Sequence, residues 1–154
     1  MKPYSSIFDI QEVPFVPYFA TALGMPENNP FAKRILCALF QTIREHLPLY
    51  ASNALMTYLP RDLKPLFRDH WNQTFSTTFN YDAFINDLHA VKGMEHNHLF
   101  YSRKDAEDAV SVFFEVMKAR LSNIEYTDLM SLIPFSLRLN LMNDYVFEGH
   151  SYIF

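Results

Sequence analysis

The chain has 154 residues, 49% of them hydrophobic, with 13 Lys+Arg against 17 Asp+Glu and a formal net charge of −4. That balance excludes an intrinsically disordered chain, and the single Cys37 excludes a disulfide scaffold. Nucleic acid is excluded as a partner by the acidic balance and the lack of a basic cluster, and only three glycines leave no glycine-rich phosphate loop.

Charged residues are only 19% of the chain, while aromatics reach 16%. A globular domain usually carries about 25% charged residues. Some of the aromatic bulk is therefore expected at the surface or in a partner interface.

The first residues, MKPYSSIFDIQEV, contain no apolar run of the kind a secretory signal needs. No stretch approaches the roughly 18 apolar residues of a membrane span. The expectation is a protein without a membrane partner, and a lone Cys suits the reducing cytoplasm.

A first helix is expected after Pro14, closing at Gly24, which supplies a left-handed cap. A second starts at Asn29-Pro30, a cap followed by proline in the first turn. Its apolar residues Ile35, Leu39, Ile43 and Leu47 recur at i+4. Cys37 sits in mid-helix as a packed structural thiol. His46 falls in the last turn, where it suits the helix C-terminus as a cap. Pro48 precedes a third helix, and Leu59-Pro60 separates it from a fourth, in which Pro65 should force a kink or an early end.

The pattern then recurs. Ala32–Trp71 placed over Ala106–Tyr145, an offset of 74, gives seven identities: Ala32/Ala106, Phe40/Phe114, Leu47/Leu121, Leu55/Leu129, Met56/Met130, Pro60/Pro134 and Leu63/Leu137. Average residue frequencies would give roughly two or three. Upstream, Phe15/Phe84, Gly24/Gly93 and Met25/Met94 coincide at an offset of 69. A five-residue insertion in the second copy, within EHNHLFYSRKD, accounts for the change of offset.

The fold expectation is all-α: two tandem copies of a four-helix unit, residues 14–71 and 83–145, packed into one pseudo-symmetric bundle within a single domain spanning 1–154. In the second copy Val110, Val112, Phe113, Phe114, Val116 and Met117 leave little polar face, so that long helix is expected at the centre. Asp105, Glu107 and Asp108 at its start complement the helix dipole. Ser122-Asn-Ile-Glu125 reads as a capping box.

Both halves carry an early aromatic helix (Tyr81-Asp82-Ala83-Phe84 in the second), then a long amphipathic helix, AKRILCALFQTIREHL or AEDAVSVFFEVMKARL, then LMTYLP or EYTDLMSLIP. In these features the chain resembles the bacterial helical proteins catalogued as domain of unknown function 2267. The resemblance runs from about Phe15 to Asp144 and implies an all-helical, two-repeat fold. It implies no activity and carries no functional residues. The Phe/Tyr richness, the insertion and the tail Tyr145–Phe154 depart from the family pattern.

No nucleophile elbow, HExxH or CxxC is present. The leading functional expectation is a non-catalytic helical interaction or oligomerisation module whose partner is itself or another protein, with no cofactor. Trp71, Tyr145, Tyr152 and Phe154 are the candidate contact residues, large and amphipathic or in the aromatic tail. The alternative is a domain that binds a small apolar ligand in the groove between the copies, or a metal through His89, Glu95, His96 and His98. The first copy carries net +2 and the second net −3, a difference small enough for ordinary solvated faces. The insertion residues Phe100-Tyr101 and the tail are where surplus aromatic surface should need cover.

Overall fold

The computed structural model describes residues 14–69, 78–90 and 99–146. These form eight α-helices and no strand: α1 Phe15–Ala22, α2 Asn29–His46, α3 Leu49–Tyr58, α4 Lys64–Asp69, α5 Tyr81–Ala90, α6 Arg103–Arg120, α7 Asn123–Leu132 and α8 Phe135–Val146. The all-α expectation is met among the described residues.

Local chemistry sets the helix ends. After α1, Gly24 takes φ 84°, and its N–H donates to the Thr21 carbonyl while the Met25 N–H donates to that of Ala20. This pair of bonds is the Schellman closure, and it needs a residue that tolerates positive φ. The α2 cap is one residue earlier than expected. Asn28, not Asn29, accepts from the Phe31 N–H at 3.3 Å, and Pro30 falls in the first turn. Asn80 caps α5 in the same way, accepting from the Ala83 N–H at 2.9 Å. Ser122 and Glu125 form the expected capping box, each side chain bonded to the other's backbone N–H. Pro48 starts α3 with no side-chain cap bond.

The Leu59-Pro60 and Ile133-Pro134 steps end α3 and α7, with Leu59 and Ile133 held extended at ψ 143° and 139°. Proline clashes with a helical conformation in the residue before it. Pro65 does not kink α4. It is the second helical residue, a place where a missing N–H leaves no bond unmade.

The two 18-residue helices organise the core. In α6 residues 108–114 are all buried, matching its expected central place, while α2 buries one face through Ile35, Leu36, Leu39, Phe40 and Ile43. The short helix α1 packs against both α2 and α6, and α5 likewise packs against both α6 and α2. Helix α3 meets α7, α4 packs on α2, and α8 packs on α6. Phe113 touches the rings of Phe15, Phe19, Phe40 and Phe114, and Phe40 also meets Phe67. Phe100 is buried in this core, whereas its neighbour Tyr101 is 87% exposed. The insertion thus contributes one aromatic to the chain's own interior and one to the surface. No helix among the described residues is long and apolar enough to cross a membrane.

Candidate functional site

Two ionisable side chains end the long helices, and each meets a short helix, Arg120 meeting α1 and His46 meeting α5. Arg120 is the last residue of α6 and is buried. Its guanidinium lies over Phe15 at 5.6 Å and Tyr18 at 5.8 Å, both from α1. Burial pulls its pKa below the usual arginine value, partly offset by attraction to Asp62 and Tyr18. Asp62 is held in turn by the Phe15 N–H, which donates to its Oδ2 at 2.9 Å.

His46 ends α2 in the same manner. Its ring meets Phe84 of α5 edge-on, with centroids 5.8 Å apart. Its Nε2 lies 2.6 Å from Oδ2 of Asp87, one turn further along α5. A carboxylate that is ionised only accepts, and the imidazole then donates from Nε2. His46 is therefore not the free C-terminal cap that its position suggests. It is tied to a second helix 41 residues away in sequence.

Glu45 completes a group. The side-chain donor atoms of Glu45, His46 and Asp87 all lie within 4.8 Å of one another. The His46 side chain is 14% exposed and that of Asp87 54% exposed, so the imidazole is sheltered while the carboxylate opens to solvent. An orienting carboxylate and a fixed imidazole suit proton handling or metal ligation.

A cavity of about 210 Å³ lies beside Arg120, lined by Tyr58, Pro60, Met117, Arg120, Leu121 and Glu125. It is below the roughly 300 Å³ at which pockets begin to hold drug-sized ligands. Arg120 and Glu125 give its wall a charged component.

Of the residues expected to bind a metal, His89 is described. It is exposed near the end of α5. Glu95, His96 and His98 lie outside the described residues, as do Trp71, Tyr152 and Phe154. Tyr145 belongs to α8, with its side chain outside the description. Cys37 is half-buried in the middle of α2, in keeping with a packed thiol. The sequence reading passed over the Glu45–His46–Asp87 group. At the repeat offsets His46 aligns with Arg120, Phe84 with Phe15 and Asp87 with Tyr18. The two sets of positions that align are the two sets that touch.

A search of the curated proteins finds no match. Residues 14–140 match the family model described as "Uncharacterized conserved protein (DUF2267)". This span takes in every helix from α1 to α7 and the start of α8. The chain belongs to the DUF2267 family.

Proposed function

We propose that this protein is a non-catalytic helical interaction module that pairs with a second copy of itself through the α7–α8 corner. One observation carries the reading. Leu132, Phe135 and Leu139 are 37%, 66% and 43% exposed and follow one another at spacings of three and four. Phe135 and Leu139, four residues apart, share one face of α8, and Leu132 ends α7 just before the Pro134 break. Large apolar side chains exposed at such a helix corner are the kind of feature that marks a contact surface. A two-fold axis across this corner would set Phe135 of one copy against Leu139 of the other, a self-complementary arrangement.

The proposal includes a pseudo-symmetric two-copy architecture for residues 14–71 and 83–145 and a cytoplasmic setting. The support for the architecture is the exchange of partners by α1 and α5, which each pack on both long helices.

Sedimentation velocity at micromolar concentration tests the reading. Wild-type protein should run as a dimer, and Phe135→Glu as a monomer with unchanged helical circular dichroism. A wild-type monomer overturns it.

A second reading, small-ligand binding, rests on the cavity beside Arg120. It predicts a thermal shift with a small anionic or amphipathic compound that Arg120→Met abolishes.

A further inference from the structure

We propose that Glu45, His46 and Asp87 form a binding site for a divalent transition-metal ion of the zinc class. The site is independent of the dimer reading, since it lies on α2 and α5 and the exposed apolar side chains of that reading lie on α7 and α8.

The donor set comes first. The imidazole nitrogen is a borderline ligand that suits zinc and its neighbours, which also accept carboxylate oxygens, whereas calcium and magnesium prefer all-oxygen shells. Three protein ligands leave one tetrahedral position for water. The two carboxylates also offset the cation's charge.

Geometry comes next. Zinc bonds of about 2.0–2.2 Å place tetrahedral ligands roughly 3.3–3.5 Å apart. His46 Nε2 and Asp87 Oδ2 are now 2.6 Å apart, and the whole group lies within 4.8 Å. The ion would separate the first pair slightly and draw Glu45 inward. Glu45 makes a long 3.5 Å contact with Gln41 Nε2, and its side chain has three torsions with which to move. Binding through Nε2 would leave the ring's proton on Nδ1.

Preorganisation is the third point. His46 is held edge-on by Phe84, itself fully buried, so its ring plane is set by the core. Asp87 lies one turn beyond Phe84 on the same helix. The packing that fixes the imidazole therefore also fixes the carboxylate it faces. The site sits in the last turn of α2, where the helix dipole puts partial negative charge and favours a cation. A metal here would tie α2 to α5.

Isothermal titration of the chelator-treated full chain with zinc chloride is the test. Wild-type protein should take up one ion at this site. Asp87→Asn and His46→Ala should each weaken that uptake by roughly tenfold or more. Asp87 is exposed, so its amide variant keeps the fold and isolates the ligand role from any packing loss at His46. A His89→Ala/His96→Ala/His98→Ala variant should bind as the wild type does. Absence of zinc uptake by the wild-type chain overturns the proposal. So does uptake that survives Asp87→Asn in a folded protein, or uptake lost only in the triple-histidine variant.

Discussion

Phe40 and Phe113, one from each long helix, meet edge to face with ring centroids 5.7 Å apart and planes at 80°. Both are buried to 2% exposure or less. Edge-to-face pairs are favoured by the ring quadrupole and contribute beyond simple area burial. Phe113 has three further aromatic neighbours, Phe15, Phe19 and Phe114. Phe113→Ala should therefore remove about 3–5 kcal/mol of stability. Urea unfolding measures this directly, and a loss under about 1.5 kcal/mol would mean that the surrounding helices close over the cavity.

The left-handed closure of α1 rests on one residue. At φ 84°, a Cβ on residue 24 would crowd the following carbonyl. Gly24→Ala should cost roughly 1–2 kcal/mol. The measurement is the urea midpoint, with the denaturant slope unchanged.

The capping box at α7 is exposed, so its worth is local. Ser122→Ala leaves the Glu125 N–H without its side-chain acceptor, and the expected loss is about 1 kcal/mol. Hydrogen exchange should speed first at the amides of the first turn of α7, because those are the groups released.

Arg44 separates packing from charge. It is buried, its Nη1 donates to the Phe67 carbonyl, and its guanidinium lies 5.0 Å from the Phe67 ring centroid. Burial lowers its pKa from the usual arginine value to about 10. The unfolded chain thus holds this proton more tightly than the folded one. The contribution to stability is unfavourable at neutral pH and is relieved only as pH rises above about 10, towards the unfolded arginine value. Charge at this position is a cost, and the aliphatic stem supplies the packing. Arg44→Met should stay within roughly 1.5 kcal/mol of wild type, whereas Arg44→Ala should lose about 2–5 kcal/mol, as other large-to-Ala core changes do. Equal losses in both would show that the hydrogen bond to Phe67 dominates.

Helix identity was legible because it is local. The i+4 ladder Ile35, Leu39, Ile43 and Leu47, the Pro60 and Pro134 steps, Gly24 and the Ser122–Glu125 box each act through neighbours a few residues away. The misreadings were local too. Asn28 and Asn29 are equally good caps, and which one bonds is settled by where the Schellman turn at Gly24 delivers the chain. Pro65 reads as a breaker only if the helix begins well before it. The Glu45–His46–Asp87 group was hidden for a different reason. No spacing rule brings position 46 to position 87; the burial of Phe84 against the end of α2 does that. Phe100 and Tyr101 show the same limit, since adjacent aromatics of one loop went to opposite environments.

The docking of α1 on α6 bears on how the chain is made. Phe15 is buried against Phe113, which is translated 98 residues later. At ordinary translation speeds that interval lasts on the order of 5–20 s. Through it the emerging first helix has its own neighbour α2 but not the ring that completes its pocket. Over that interval the Phe15 face of the emerging amino-terminal half lacks the ring that buries it in the folded chain. A slowed ribosome anywhere between codons 16 and 113 would lengthen that exposure, so the gene's own pace of decoding becomes part of what determines the yield of folded protein.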